Sequence, residues 1–132
     1  FLIDFHVKQP YYIAPEVIKK NYNEKCDVWS SGVILYILLC GSPPFSGSSS
    51  QEVLKKVQQA HFNIETGIWK SVSEEAKQLV SKMLEVDVEK RYSAEEALCD
   101  PWISSSIKQA KIENPTVFAA ALKNLQHLKV LN

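Results

Sequence analysis

The sequence predicts a mainly α-helical fold, and three observations lead to that prediction. The longest apolar stretch, residues 33–40, has no polar interruption and is too apolar for a helix with one wetted face. Several segments begin with a serine or asparagine that can cap a helix. Apolar residues in those segments recur at three- and four-residue steps, the spacing of one helical face. These features predict helices packed around one strongly apolar helix.

The central helix is predicted to begin near Cys26 and to be buried on nearly all sides. Asp27 lies just inside its N-terminal end, where a carboxylate suits the helix dipole and can accept backbone N–H groups from another loop. Gly41 ends the helix, and Pro43 and Pro44 prevent it from resuming. The rest of the chain is therefore expected to pack around this helix.

Two shorter elements are predicted before the central helix. Residues 1–3 are apolar and lead into Asp4, a pattern typical of a buried strand that delivers a carboxylate into a loop. Pro15 suits the first position of a helix, because the N–H that proline lacks is not needed there. That helix is predicted to reach about Lys20, and a loop through Asn23 follows it.

Two further helices are predicted after residue 45. Ser49 followed by Glu52 is a capping box, and the helix that it opens extends to about Gln59. Ser73 caps the second helix, whose first turn is acidic. Residues 60–72 lack clear helical spacing and are expected to wrap over the core as an irregular segment. The apolar face of the second helix comprises Ala76, Leu79, Val80, Met83 and Leu84.

The last part of the chain alternates between short helical and polar segments. Ser93 with Glu96 forms a second capping box, which opens a short helix to Leu98. Residues 104–113 are polar and are interpreted as a linker. A final amphipathic helix begins at Pro115. Its apolar stripe comprises Phe118, Leu122, Leu125, Leu128 and Leu131.

Composition limits the classes of protein to which the chain can belong. The 132 residues suffice for one domain or one part of a larger one. Fifteen basic residues balance fifteen acidic ones, so no overall charge favours nucleic acid or an anionic membrane. No apolar run approaches the ~20 residues of a membrane span. The three cysteines are widely spaced, which predicts reduced, buried thiols in a cytoplasmic protein rather than a disulfide or zinc framework.

Taken alone, the residues point to no catalytic triad and no metal-ligand spacing. His6, His61 and His127 are isolated, and they are interpreted as surface or packing residues rather than ligands. The chain also begins at Phe1 in the middle of an apolar pattern, so it is expected to be a segment of a longer protein.

Four sequence blocks nevertheless occur in a specific order. They are DF from Asp4, PYYIAPEV from Pro10, DVWSSGVILYILLCGSPPF from Asp27 and VDVEKRYSAEEALCDPWI from Val86. Their order and spacing resemble the C-terminal lobe of eukaryotic serine/threonine protein kinases. The chain is most similar to the calcium-dependent protein kinases of plants and protists and their calmodulin-dependent relatives, over about residues 1–107.

The resemblance implies a division of the chain into three parts. Residues 1–10 would hold the end of a DFG-like loop and a truncated activation segment. Residues 11–107 would form the helical kinase C-terminal lobe. Residues 108–132 would hold a linker and an autoinhibitory junction helix, whose stripe includes Phe118, Leu122, Leu125 and Leu128.

The resemblance also implies roles for individual residues near the N-terminus. Asp4 is similar to the aspartate that holds Mg²⁺ against the phosphates of ATP. Glu16 is similar to the carboxylate of the Ala-Pro-Glu motif, whose partner in the family corresponds to Arg91. Asp27 is similar to the aspartate that anchors the backbone of the catalytic loop. The loop that receives the substrate residue after the phosphorylated hydroxyl corresponds to Tyr12, Ile13, Ala14 and Pro15.

The sequence departs from the family pattern at several places, among them Gln9, which stands where the family has a threonine beside the catalytic aspartate. His6 stands where the family has the glycine of DFG, which removes backbone freedom. Only residues 7–9 separate it from Pro10, where the family has a long activation segment. Either that segment has been lost, or the sequence joins the two ends of a mobile stretch that it omits. Ile37 stands where some relatives carry a glutamate for a substrate arginine.

By resemblance, the chain is part of an ATP- and Mg²⁺-dependent serine/threonine kinase with protein substrates. The sequence includes no glycine-rich loop, nucleotide-positioning lysine or His-Arg-Asp loop, so no catalytic residue is assigned and the segment is not expected to act alone. The alternative is a pseudokinase-like scaffold or regulatory binding module.

Calcium control is the other implication of the resemblance. The sequence contains no EF-hand calcium loop. Ca²⁺ would therefore act through a module outside this chain, either an EF-hand module in cis or a calmodulin-like protein in trans. The final helix would lie in the substrate groove or in the groove of such a module. It would otherwise be a packing helix that closes the core.

Overall fold

The computed structural model describes residues 10–113 and 116, and this part of the chain is mainly helical, as predicted. A 3₁₀ turn, Pro10–Tyr12, precedes α1 (Pro15–Ile18) and the long helix α2 (Lys25–Cys40). Helix α3 (Ser50–Gln59), a second 3₁₀ turn (Gly67–Ser71) and α4 (Glu74–Met83) follow. The short α5 (Ala94–Leu98) and α6 (Pro101–Glu113) complete the described part.

Several predictions fall outside the described residues. They concern the strand at residues 1–3, Asp4, His6 and the final helix with its stripe of Phe118, Leu122, Leu125, Leu128 and Leu131. The three-part division at residues 10 and 107 also remains a prediction. The structure divides the chain into two compact units, the first ending at Ala97 and the second beginning at Leu98.

Helix α2 begins and ends within one residue of the predicted positions. Gly41 adopts φ 83° at its C-terminal end, and its N–H donates to the carbonyl of Ile37 at 2.7 Å. That left-handed conformation is one that glycine adopts without a steric cost. One side of α2 packs into the core of the first unit, which residues from the other elements complete. The buried residues of the helix are Cys26, Val28, Trp29, Gly32, Val33 and Tyr36.

The prediction that α2 is buried on nearly all sides is wrong for the described part of the protein. Ile34 is 50% exposed and Leu38 is 78% exposed. Asp27 and Ser31 are also exposed, and the spacing of these four residues places them on one face of the helix. We call Asp27, Ser31, Ile34 and Leu38 the open α2 face. Apolar composition predicts burial but does not show which elements provide it.

The core between α2 and the following segment is aromatic. Trp29 stacks on Phe45 with ring centroids 5.7 Å apart, and Phe62 meets Phe45 edge-on at 6.0 Å. Tyr36 lies 4.7 Å from the ring of Trp69, and its hydroxyl donates to the carbonyl of Asn63 at 2.6 Å. Residues 60–72 therefore wrap over the core as predicted. Their one short regular turn contains the buried Trp69.

Helices α2 and α4 approach closely at Gly32. A Cβ atom at this position would lie 2.8 Å from Cβ of Met83 and 3.1 Å from Cδ2 of Leu84. Because both atoms belong to the opposing helical segment, the contact can be relieved only if the helices separate or side chains leave their preferred rotamers.

We therefore expect Gly32→Ala to lower the free energy of unfolding by about 1–3 kcal/mol, the usual cost of overpacking a core. Urea unfolding followed by far-UV circular dichroism would measure this change. The matched control is Ser31→Ala, the adjacent exposed position on the same helix, for which we expect a change within about 0.5 kcal/mol. Equal stability of the Gly32→Ala variant and the wild type would refute the close approach.

The cap of α3 differs in one respect from the predicted capping box. Ser49 Oγ accepts the N–H of Glu52 at 3.2 Å, as expected. The Glu52 carboxylate, however, accepts from the N–H and hydroxyl of Ser48, at 2.9 and 2.8 Å, rather than from the N–H of Ser49. The N–H and hydroxyl of Ser48, followed by Lys56, lower the pKa of Glu52 from 4.5 to about 2.

This cap predicts a pH-dependent stability. Because the pKa of Glu52 is lower in the folded state, its contribution is present above about pH 4.5 and is lost as the pH falls toward 2. We expect Glu52→Gln to destabilise the protein at pH 6, with a difference that shrinks as the pH is lowered. Unfolding measured from pH 6 to pH 2.5 tests this. Ser48→Ala should reduce the pH dependence, and a constant difference at every pH would contradict the cap.

The α5 cap matches its prediction fully. Ser93 Oγ accepts from the N–H of Glu96 at 3.1 Å, and the Glu96 carboxylate accepts from the N–H of Ser93 at 2.9 Å. The cap of α4 is also present, since Ser73 Oγ accepts from the N–H of Ala76 at 3.3 Å. All five apolar residues expected on the inner side of α4 and just after it are buried.

The interpretation of residues 104–113 as a linker is wrong, because these residues belong to α6. Asp100 Oδ1 accepts the N–H of Trp102 at 3.0 Å, and Pro101 occupies the first turn. This is an N-cap followed by proline, the same signal that predicts a helix start at residues 114 and 115. Residues 104–109 are exposed, so their polarity reflects an exposed helix rather than a linker.

Candidate functional site

The segment from Tyr12 to Pro15 passes from the surface into the core of the first unit. Tyr12 is 45% exposed, whereas the next residues, Ile13 to Pro15, are buried. The hydroxyl of Ser30 on α2 donates to the carbonyl of Tyr12 at 2.7 Å. Ala14 is extended, with ψ 149°, and its carbonyl accepts the N–H of Val17 at 3.1 Å as α1 begins. The backbone of this segment is thus held on α2 while the Tyr12 side chain faces solvent.

Glu16 and Arg91 form a bidentate ion pair immediately after this segment. Arg91 Nη1 lies 2.5 Å from Glu16 Oε1, and Nη2 lies 2.9 Å from Oε2. Arg91 is 1% exposed and Glu16 is 9% exposed. The planar guanidinium matches the two carboxylate oxygens, so the pair fixes both distance and orientation. The structure therefore brings together two predicted site residues that are 75 positions apart in the sequence.

Arg91 also contacts three other parts of the first unit. Its Nε donates to the carbonyl of Glu85 at 2.8 Å, and Nη1 donates to the carbonyl of Lys25 at 3.1 Å. The guanidinium carbon lies 5.1 Å from the ring centroid of Trp29, within the range of a cation–π contact. The buried cation is therefore well supplied with acceptors, as a charge out of water requires.

Asp27, the predicted catalytic-loop anchor, lies in the first turn of α2 and is exposed on the open α2 face. Cys26 Sγ lies 3.9 Å from its Oδ1. Burial raises the pKa of the Cys26 thiol, and the carboxylates of Asp27 and Glu16 raise it further, against the opposing effect of Arg91. A thiol with a raised pKa is protonated at neutral pH, so Cys26 is unsuited to act as a nucleophile.

The cysteines are all free, as predicted, but they are not all buried. Cys26 is buried, Cys40 is half-buried and Cys99 is exposed. Within the described residues, no group of three or more His, Cys, Asp or Glu side chains is arranged to hold a metal ion. Asp4, the predicted Mg²⁺ ligand, is outside those residues, so its contacts with Mg²⁺ and ATP remain a prediction. No helix in the described part has the length and apolarity needed to cross a bilayer.

Sequence reasoning missed two residues that position the candidate site. Ser30 holds the Tyr12 carbonyl, and Lys25 contacts both Arg91 and the preceding loop. Ser30 carries a weak signal, because a hydroxyl beside the buried Trp29 interrupts an apolar helix. Lys25 carries none, since a lysine at the start of a helix is ordinarily a solvated surface residue.

The chain is similar to known proteins over most of its length. Residues 4–103 match the family model described as protein kinase domain. The chain is 42% identical over 126 residues to calcium-dependent protein kinase 28 of Oryza sativa subsp. japonica, covering 96% of this chain and 23% of that protein.

Two other relatives show a comparable similarity. Calcium-dependent protein kinase 12 of Arabidopsis thaliana is 52% identical over 97 residues, which cover 74% of this chain and 20% of that protein. Calcium-dependent protein kinase 5 of Plasmodium falciparum (isolate 3D7) is 42% identical over 111 residues, which cover 84% of this chain and 20% of that protein. The chain thus spans about a fifth of the length of these relatives.

Proposed function

This chain belongs to the protein kinase domain family, and from that membership we propose that it supplies the substrate-binding part of an ATP-dependent serine/threonine protein kinase. The observation that carries the proposal is the position of residues 12–15. Their backbone is fixed by Ser30 on one side and by the Glu16–Arg91 pair on the other, while Tyr12 is exposed. A rigid loop with one exposed side is suited to bind an extended peptide.

In this proposal, Tyr12, Ile13, Ala14 and Pro15 receive the substrate residue that follows the phosphorylated hydroxyl. The Glu16–Arg91 pair performs no chemistry and holds the loop in place. Phosphoryl transfer depends mainly on the positioning of the two reactants. A small displacement of this loop would therefore reduce the rate without altering any reacting group.

The open α2 face is proposed to carry the remainder of the catalytic machinery. Asp27 would accept backbone N–H groups of the catalytic loop, and these hydrogen bonds would hold that loop at the N-terminal end of α2. Ile34 and Leu38 would be covered by apolar side chains of the same lobe. Burial of one such side chain stabilises a fold by about 1.5–3 kcal/mol, so exposure of both Ile34 and Leu38 to water is unfavourable.

ATP and Mg²⁺ would be used by the whole kinase, with Asp4 as a ligand of the metal ion. Mg²⁺ neutralises the charge of the phosphates during transfer. Control by Ca²⁺ would come from an EF-hand module in cis or a calmodulin-like protein in trans, as the names of the relatives suggest. The autoinhibitory role of Phe118, Leu122, Leu125 and Leu128, and a cytoplasmic location, are part of the same proposal.

Phosphate transfer by the full-length protein tests this proposal. With ATP, Mg²⁺ and a serine-containing peptide, we expect transfer that rises when Ca²⁺ is added together with its sensor module. Asp4→Asn should abolish transfer without unfolding the protein. Tyr22→Ala, at an exposed residue outside the proposed site, serves as the folded control.

A folded protein that transfers no phosphate with or without Ca²⁺ would overturn the enzyme assignment. The second candidate, a pseudokinase-like scaffold or regulatory binding module, is favoured by His6 in the DFG-like position and by the short stretch before Pro10. Binding of a protein partner without transfer would support that candidate.

A further inference from the structure

Lys25 joins the start of α2 to the loop at residues 85–91 through both its side chain and its backbone. Its Nζ donates to the carbonyl of Val88 at 2.9 Å. Its own carbonyl accepts from Nη1 of Arg91 at 3.1 Å. Lys25 is half-buried, so its ammonium group is partly shielded from competing water.

The position of this loop determines the position of the Arg91 guanidinium. Arg91 Nε donates to the carbonyl of Glu85, and the Arg91 N–H donates to the carbonyl of Asp87 at 2.9 Å. Val88 lies between these two anchors and Arg91. A bond from α2 to Val88 therefore fixes the part of the loop that presents Arg91 to Glu16.

The loop also has hydrogen bonds of its own. Asp87 Oδ1 accepts from the N–H of Glu89 at 3.0 Å, and Lys90 pairs with Asp87 at 3.8 Å. The Asp87 bond holds the shape of the turn, the exposed Lys90 pair contributes little, and neither contact ties the turn to α2. The contact of Lys25 with Val88 does so, and it connects two segments that are 63 positions apart.

We propose that Lys25 is a positioning residue, whose ammonium group fixes the 85–91 loop on α2 so that Arg91 reaches Glu16 and holds the Tyr12–Pro15 segment. The role in substrate binding rests on the proposed function. The effect on the Glu16–Arg91 pair does not, because it is a property of the folded chain.

The test compares Lys25→Met, which keeps the apolar stem and removes the donor, with Lys25→Arg, which restores a donor. Both are made in the full-length protein. Lys90→Met is the matched control, because Lys90 is a neighbouring exposed lysine with a contact inside the loop alone. Amide hydrogen exchange is measured in three segments: residues 13–18, residues 85–91 and helix α4.

We expect exchange in residues 13–18 and 85–91 to accelerate about threefold to tenfold in Lys25→Met, the size expected for loss of one hydrogen bond of ordinary net strength by a half-buried donor. Exchange in α4 should be unchanged, Lys25→Arg should restore the wild-type rates, and Lys90→Met should have no effect. In the active kinase, the KM for a peptide should rise by a similar factor while the KM for ATP is unchanged.

Unchanged exchange in Lys25→Met, or an equal acceleration in α4, would overturn the positioning role. A wild-type protein that transfers no phosphate would overturn the proposed kinase function. The exchange rates would still decide whether Lys25 positions Arg91. A rise in the KM for ATP equal to that for peptide would show a general loss of structure rather than a local one.

Discussion

Replacement of Arg91 by methionine is expected to lower the free energy of unfolding by about 3–5 kcal/mol, because it leaves the buried Glu16 carboxylate without its cation. Glu16→Gln should cost less, about 1–3 kcal/mol. In that variant the guanidinium keeps its bonds to the carbonyls of Glu85 and Lys25 and its contact with Trp29. Urea unfolding followed by circular dichroism would measure both changes.

The double variant is the decisive measurement for this ion pair. When Glu16→Gln has already removed the carboxylate, the loss of Arg91 leaves no buried negative charge unpaired. The double variant should therefore be more stable than the sum of the two single effects predicts. Lys90→Met, which removes an exposed cation from the same loop, should change stability by no more than about 0.5 kcal/mol. Strictly additive effects would show that the two side chains do not interact.

The second large effect is expected at Trp29, which is fully buried between Phe45 and Arg91. Trp29→Ala should lower the free energy of unfolding by about 3–5 kcal/mol, since it leaves a large cavity and removes the stacked and cation–π contacts. Because Nε1 of Trp29 has no hydrogen-bond partner among the described residues, Trp29→Phe removes no hydrogen bond. It should cost about 1–2 kcal/mol, the transfer term of the lost ring.

These two variants separate the contribution of ring volume from that of the indole N–H. Tyr22→Ala, at an aromatic residue that is 50% exposed, is the matched control and should change stability by about 0.5 kcal/mol or less. An equal cost for Trp29→Phe and Trp29→Ala would mean that the indole nitrogen has a partner that stabilises the fold. In that case the aromatic stack would not be the main source of stability at this position.

The two expected effects have a common structural origin. The guanidinium of Arg91 packs against the ring of Trp29. Arg91 in turn holds Glu16 beside the Tyr12–Pro15 segment. Loss of the indole should therefore weaken the ion pair as well as the core. Stability effects of paired substitutions at Trp29 and Glu16 should deviate from additivity for this reason.

Much of the fold followed from local signals in the sequence. The start of α3, α4 and α5 depends on a serine cap, and each cap forms within residues adjacent in the chain. Gly41 ends α2 by its own backbone preference. The difference at α6 is also local, because the cap at Asp100 is present in the sequence but is followed by polar residues that are typical of a linker.

The candidate site was predictable in part, through its resemblance to the kinase family. That resemblance paired Glu16 with Arg91, which no periodicity or cap indicates. It did not identify Lys25 or Ser30, because their contacts involve backbone carbonyls, and a carbonyl is present at every position of the chain.

The sequence by itself thus determined where helices α2 to α5 begin, which residues are apolar enough for the core, and to which family the chain belongs. Only the tertiary structure decided which side of α2 is covered and which is open, and which carbonyls Arg91, Lys25 and Ser30 contact. The physical reason is distance along the chain. Helix caps join neighbouring residues, whereas the burial of a side chain and the partners of a buried charge are set by segments that meet after the chain has folded.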